Sequence, residues 1–493
     1  MGKNRKKQIS DIEETELQDG IHKKKKKRNL ESLLVTYFFV FLMLAVMGNI
    51  VYYVAAESET VINNSYNKRQ ELLAKNNVRG KILSRNGEVL AQTNVDENGK
   101  ETRIYPYSNV FAHVVGFSTQ GKTGIESLGN ISLLTSNAFI GEKIQNELDA
   151  EKSIGDNVVT TLDVDLQRAA YDALGVYSGA IIVSDPNTGE VLAMVSKPDF
   201  DPNEIVTIWD DIIEDSDSSV LVNRATQGMY PPGSTFKIIT ALEYYRENKT
   251  SIEDYSYKCT GSFKDGENKI QCYHGASHGV VDFRKSFAKS CNASFANIGL
   301  SLKIRSLDTT CDELLFNEKL PVDIPYKESS FVLTEDNSKY DIMQTSIGQG
   351  KTQITPMHLN MITSAIANKG VLMKPYFIGS IENYAGVQVE EFKAETSKRL
   401  MTEEEALFLT EIMEAVVTEG TASKLSGLSY TAAGKTGSAE FSEVKEDSHA
   451  WFTGFAPVSN PEISVTIIVE GAGSGGDYAV PIAKKIFDAY FQE

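Results

Sequence analysis

The sequence predicts an α/β (α+β) protein: one antiparallel sheet flanked by helices, preceded by a membrane-spanning helix and a small β-rich region. Three observations predict it. Residues 33–56 form an uncharged apolar run, "LLVTYFFVFLMLAVMGNIVYYVAA". Residues 57–155 mix short strand-like runs with turns. From residue 156 onward, strand patterns stand at both ends of a mostly helical stretch. "GAIIVSDPNTGEVLAMVS" lies early, and "YTAAGKTGSAEF", "HAWFTGFAP" and "EISVTIIVE" lie late. Strands so distributed make one sheet only when distant segments pair. "FKIITALEYY" and "ASFANIGLSLK" read as helices between them, and "YAVPIAKKIFDAYF" closes the chain as another.

The first 32 residues are charged and read as a disordered tail. The apolar run that follows is long enough to cross a bilayer. It exceeds the h-region of a cleaved signal peptide and is read as a retained anchor. The basic run Lys23–Arg28 abuts it, which by the positive-inside rule puts the N-terminus in the cytoplasm and all residues after Ala56 outside. Residues 1–56 hold 10 of the 49 basic and 6 of the 67 acidic residues. The remainder therefore carries 39 basic and 61 acidic residues, a formal charge of −22. So acidic an exported domain is a poor partner for nucleic acid.

In the membrane-proximal region, 57–155, Asn86-Gly87 sits between apolar runs and predicts a hairpin. A Lys-Thr-Gly at Lys122–Gly124 has no nucleophile near it in sequence and is read as a turn. The large domain follows at 156–493. The Pro-Asn-Thr-Gly of residues 186–189 joins its first two strands as a turn.

Ser-x-x-Lys occurs four times, at Ser65/Lys68, Ser234/Lys237, Ser286/Lys289 and Ser442/Lys445. Only Ser234 stands at a plausible helix start, behind Pro231, Pro232 and Gly233. On a helix, Lys237 lies one turn from Ser234 on the same face. A buried lysine with a depressed pKa serves as a general base, and a helix N-terminus offers N–H groups to a developing oxyanion. "KSCNASF" then supplies Ser-x-Asn at Ser290 and Asn292. "AAGKTGSAE" supplies Lys435, Thr436 and Gly437 on a predicted strand. Each motif alone is also an ordinary helix cap or strand; the ordered trio is specific.

With these residues the chain resembles the class B penicillin-binding proteins, in particular the compact type called penicillin-binding protein A. The resemblance runs over residues 79–493. It includes "RGKILSRNGEVLA", "TLDVDLQRAA", "NRATQGMYPPGSTFK", "SIGQGKTQITPMHLN" and "HAWFTGFAP". It implies a serine transpeptidase/β-lactamase-like fold with a five-stranded antiparallel sheet, a helical subdomain and a β-rich pedestal. It further implies a peptidoglycan D,D-transpeptidase of the cell membrane. Ser234 would be the nucleophile and Lys237 its base. Ser290 and Asn292 would relay protons and hold the substrate amide. Lys435 and Thr436 would face the substrate carboxylate, Gly437 would let the strand approach, and the N–H groups of Ser234 and Ser438 would form the oxyanion hole. Stem peptides and β-lactams would be the ligands, and a membrane-embedded glycan polymerase of the shape, elongation, division and sporulation family the partner. No cofactor is needed for this chemistry. A D,D-carboxypeptidase, which uses the same groups with water as acceptor, and a β-lactam-binding sensor or scaffold are the alternatives.

The cysteines carry a separate expectation. Cys259, Cys272, Cys291 and Cys311 all follow the span. Cys259, Cys272, His278 and Cys291 are a donor set suited to tetrahedral zinc. His274 is an alternative to His278, and a Cys259–Cys272 disulfide or free thiols are alternatives to the metal. The resemblance bears on the metal and the disulfide, since some elongation-type relatives hold zinc at this point and other relatives a disulfide. Cys311 is left over and reads as a buried thiol.

Overall fold

A computed structural model describes residues 3–53, 68–149, 151–215, 218–440 and 448–492. Lys3–Tyr52 is one helix. Its part Leu30–Tyr52 is long and apolar enough to cross a membrane, and Phe38, Leu42 and Met47 are exposed along it. The tail expected to be disordered is therefore helical from Lys3. Lys, Glu and Gln, which dominate it, are good helix formers, so high charge there does not oppose helix. The last residues of the expected span, 54–56, lie outside the described residues.

Residues Arg69–Glu493 form a second compact unit. Its centre is the expected sheet of five antiparallel strands, in the order Ala433–Glu440, Ser448–Ala456, Ile463–Val469, Gly179–Ser184, Val191–Lys197. Val469 pairs with Gly179, so the end of the chain closes onto its early strands. Ile181, Ile182, Phe452, Phe455, Ile467 and Ile468 are fully buried. Such continuous apolar runs are what a sheet covered on both faces requires. Helices Pro356–Ala367, Val164–Leu174 and Ala479–Phe491 pack against it. Between the sheet and helix Pro356–Ala367 lies a satisfied polar layer. Thr453 meets Thr363 at 2.6 Å, Ser464 meets Ser364 at 2.7 Å, and Ser184 donates to Asn360 at 2.7 Å. Buried hydroxyls are tolerated when bonded in this way, and they fix the register of helix on sheet.

A second sheet has six strands, in the order Gln388–Glu391, Ile378–Glu382, Asn157–Thr160, Ile82–Leu83, Val89–Val95, Glu101–Ile104. The Asn86-Gly87 hairpin is present, with Ile82 paired to Ala91. Near it Glu126 is fully buried between Arg79 and Arg103, whose guanidinium Nε atoms donate to it at 2.6 and 2.7 Å. The expected boundary at 155/156 falls beside a strand of this six-stranded sheet, Asn157–Thr160. Ile378–Glu382 and Gln388–Glu391 complete that sheet from deep within the expected catalytic region. Lys122–Gly124, expected as a turn, is instead an extended entry to a short helix: Thr123 has extended backbone and stands at the N-cap of the helix Gly124–Leu128.

Candidate active site

Ser234 stands in a single 3-10 turn, Gly233–Phe236, that runs directly into the α-helix Lys237–Asn248. The turn is clamped from three sides. The Trp451 indole donates to the Pro231 carbonyl at 3.1 Å, the Gly233 N–H donates to the Gly348 carbonyl at 2.9 Å, and the Thr235 hydroxyl donates to the Pro232 carbonyl at 2.7 Å. Gly233 has φ +53°, and a Cβ on it would lie 2.9 Å from the Ser438 carbonyl oxygen. Both facts demand glycine there. The "PPG" before the serine is thus a device for seating it against the strand that carries Lys435.

Lys237 is fully buried, with four oxygens within hydrogen-bond distance of its amine. Its Nζ is 3.1 Å from Ser234 Oγ, 2.8 Å from the Ser290 carbonyl, 3.2 Å from Ser290 Oγ and 2.6 Å from Asn292 Oδ1. Loss of solvent pushes its ammonium down to about 7, offset in part by negative charge on the neighbouring cysteine sulfurs. Lys435 Nζ donates to the other side of Ser290 Oγ at 2.9 Å and to the Thr436 carbonyl at 3.0 Å. Burial, and then repulsion by Lys237, hold Lys435 well below its ordinary value. Ser290 is therefore a hydroxyl bridge between two buried amines, of which one readily goes without its proton.

Ser290 itself has φ +52°. A serine in the left-handed region costs on the order of 1 kcal/mol and persists only where its surroundings hold it. It sits between the helices Phe283–Ala288 and Asn292–Ser301. The turn aims its carbonyl at Lys237 and its hydroxyl between the lysines. Asn292 donates to the Gln271 carbonyl at 3.1 Å. Ser438 accepts from the Gly475 N–H at 3.4 Å.

All eight residues expected in the chemistry are therefore brought together: Lys237 and the buried Lys435 both meet Ser290, and Gly437 pairs with Trp451 of the neighbouring strand. An open groove of about 610 Å³ passes over Ser234, Ser290, Asn292, Thr436, Gly437 and Ser438. The competing Ser286/Lys289 pair is structural. Ser286 is buried and donates to the Asp282 carbonyl, while Lys289 is exposed. Ser65, Ser442 and Lys445 lie outside the described residues. Trp451, Gly348 and Thr421 are site residues that no motif reading singled out. The first two lie in the quoted "HAWFTGFAP" and "SIGQGKTQITPMHLN"; nothing local marks Thr421.

Beside the groove, Cys259, Cys272, His278 and Cys291 converge, with their ligand atoms all within 4.8 Å of one another. Cys259 Sγ is 3.7 Å from Cys272 Sγ, Cys272 Sγ is 3.8 Å from Cys291 Sγ, and Cys259 Sγ is 3.4 Å from His278 Nδ1. The four cysteines are free thiols, so Cys259 and Cys272 are not joined. The bond from Cys291 pulls the Cys272 thiol well below its usual range and pushes Cys291 above its own. His274 lies outside the cluster, its exposed ring against Tyr273. Cys311 is buried in the main core.

Comparison with known proteins decides what kind of site this is. The family described as penicillin binding protein transpeptidase domain matches residues 179–488, well over half of the chain. The chain belongs to that family. It is a class B penicillin-binding protein, and the family described as penicillin binding protein A dimerisation domain matches its residues 79–158. The penicillin-binding protein is similar to the peptidoglycan D,D-transpeptidase PbpA of Mycolicibacterium smegmatis, 29% identical over 442 residues, covering 84% of this chain and 89% of that one. It is also similar to the peptidoglycan D,D-transpeptidase MrdA of Acinetobacter baumannii, 29% identical over 446 residues, covering 78% of this chain and 66% of that one. Among solved structures it resembles penicillin-binding protein A of M. tuberculosis as a ceftriaxone acyl-enzyme. That likeness has a TM-score of 0.76 and 27% identity, over 85% of this chain and 99% of the other.

Proposed function

We propose that this penicillin-binding protein cross-links peptidoglycan stem peptides as a D,D-transpeptidase through an acyl-enzyme on Ser234. The observation that carries the reading is the buried Lys237 amine, bonded at once to Ser234, Ser290 and Asn292. As a neutral base it takes the Ser234 proton while Oγ attacks the carbonyl between the two terminal D-alanines. The N–H groups of Ser234 and Ser438 receive the oxyanion. Ser290, between Lys237 and Lys435, passes the proton to the departing D-alanine amine. The carboxylate of the donor restores the Lys435 proton that burial disfavours and binds beside Thr436. An amine of a second stem peptide then attacks the acyl carbon and gives a proton to the again neutral Lys237, which returns it to Ser234 Oγ as the ester C–O bond breaks, with Gly437 leaving the strand open to the acyl group. A β-lactam acylates the same serine. The relatives named D,D-transpeptidase support the assignment of donor and acceptor. The full chain in detergent, given glycan strands with pentapeptide stems, is expected to release D-alanine and form cross-linked dimers, both blocked by benzylpenicillin. D-alanine release with no dimers, under conditions where a known transpeptidase forms them, would make it a carboxypeptidase instead.

The depressed Lys237 value sets a pH dependence. The base works as the neutral amine, so its competent fraction falls as pH drops through about 7. The second-order acylation rate by benzylpenicillin is expected to fall roughly tenfold per pH unit well below that point and to level above it. A flat profile between pH 5 and 8 would exclude Lys237 as the base.

The Cys259, Cys272, His278 and Cys291 set fits structural zinc. A tetrahedral ion with Zn–S of about 2.3 Å and Zn–N of about 2.0 Å needs ligand-to-ligand edges of roughly 3.5–3.8 Å, close to the Cys259–Cys272, Cys272–Cys291 and Cys259–His278 separations of 3.7, 3.8 and 3.4 Å. The ion would lock the loop 272–278 to the Ser290-Cys291-Asn292 turn and take no part in the chemistry. We further assign residues 1–32 to the cytoplasm, 33–56 to the membrane, 57–155 to a pedestal and 156–493 to the extracytoplasmic catalytic domain. The basic run Lys23–Arg28 supports that orientation. The pedestal and anchor would meet a membrane-embedded glycan polymerase of the shape, elongation, division and sporulation family.

A further inference from the structure

The Thr436 hydroxyl does not face the groove alone. Thr421 Oγ1 lies 2.5 Å from Thr436 Oγ1. Thr421 is exposed along the groove, whereas Thr436 is 5% exposed behind it. Thr421 follows the helix Glu403–Thr418 through Glu419 and Gly420. Its backbone is held on both sides. The Thr421 N–H donates to the Ala288 carbonyl at 3.3 Å, and the next N–H, of Ala422, donates to the Val416 carbonyl at 3.0 Å. The Lys289 ammonium donates to the Glu419 carbonyl. On the far side a Cβ on Gly476 would lie 2.8 Å from the Thr421 carbonyl oxygen. One set of attachments leads within two residues of Ser290, and the other to the segment beside Ser438. A hydroxyl on so fixed a backbone is placed before any ligand arrives.

Two hydroxyls in contact share one bond and keep one hydrogen free. With Thr421 donating to Thr436, the Thr436 hydrogen is released toward an anion, and the incoming bond polarises it as a donor. We propose that Thr421 is a positioning residue for the terminal carboxylate of the donor stem peptide, and of a β-lactam, acting by orienting the Thr436 hydroxyl. The inference rests on the reading of Thr436 as a carboxylate partner. It separates carboxylate recognition from acyl transfer, because Thr421 bonds to none of Ser234, Lys237 or Ser290.

The test is the concentration dependence of acylation of the full chain in detergent, by benzylpenicillin and by its methyl ester, in which the carboxylate is masked. Thr421→Val keeps the branched shape and removes the hydroxyl. It is expected to weaken initial binding of benzylpenicillin about tenfold, with the limiting acylation rate nearly unchanged, and to leave the ester unaffected. Thr421→Ser is expected to restore binding. Thr436→Val serves as the reference and should show a carboxylate-dependent loss at least as large. If Thr436→Val discriminates acid from ester and Thr421→Val does not, the inference fails while the Thr436 reading stands. If neither discriminates, the Thr436 reading fails and takes the inference with it. An equal loss for acid and ester in Thr421→Val would mark a merely structural residue and overturn the proposal.

Discussion

Ser234→Ala is expected to abolish labelling of the full chain by fluorescent penicillin, with the fold unchanged. The side chain is half-buried and packs no core, so removing its oxygen has little stability effect. What it removes is the groove-lining oxygen that Lys237 Nζ approaches at 3.1 Å. Lys237 cannot substitute, because its Nζ is turned toward the Ser290 carbonyl and Asn292 and is held there by bonds of 2.8 and 2.6 Å. Ser290 is bridged between two lysines and has no base to itself. Lys237→Met should reduce the acylation rate by about 10²–10⁴-fold, the range of a lost general base, with Ser234 still slowly labelled. The order of the two effects matters: the nucleophile variant must be the more severe.

The second large effect concerns the thiol cluster. Cys259 lies on the strand Tyr257–Cys259, and its side chain meets Cys272 and His278 rather than any catalytic side chain. Any influence of Cys259→Ala on acylation must therefore travel through the cluster. The route is short. Cys272 Sγ accepts from the Ala293 N–H at 3.4 Å, Gln271 accepts from Asn292 at 3.1 Å, and Cys291 stands between Ser290 and Asn292. Full chain purified without chelator is expected to carry about one zinc. Cys259→Ala should lose it, melt on the order of 5–10 °C lower and acylate about tenfold more slowly. A wild-type chain that holds no zinc and whose Cys259 and Cys272 are oxidised to each other would overturn the metal reading and leave the Ser234 chemistry untouched.

Much of the site was legible because each motif sits where local sequence already marks an element. Pro231-Pro232-Gly233 announces the turn before Ser234, and Ala432-Ala433-Gly434 opens a strand that can pass close to its neighbour. The ordered trio did the rest. His278 and His274 stayed interchangeable in sequence because both lie in one loop. The structure separates them: His274 has φ +50° and turns its ring onto Tyr273, away from the thiols. Thr421 was invisible for a different reason. A threonine just past a helix end has no local signature, and its value comes from the approach of a strand that follows it. The six-stranded sheet was hidden in the same way, since Ile378–Glu382 pairs with Asn157–Thr160 across most of the catalytic region. The helical tail was misjudged because charge density was weighed above helix propensity.

The central claim is that Ser234 becomes the acylated residue. Peptide mapping by mass spectrometry of the full chain after brief exposure to benzylpenicillin tests it most directly. A single adduct of one penicilloyl group on the peptide containing Ser234, absent in Ser234→Ala, is the predicted result. An adduct on Ser290 or any other residue of the wild-type chain, with Ser234 unmodified, would contradict it.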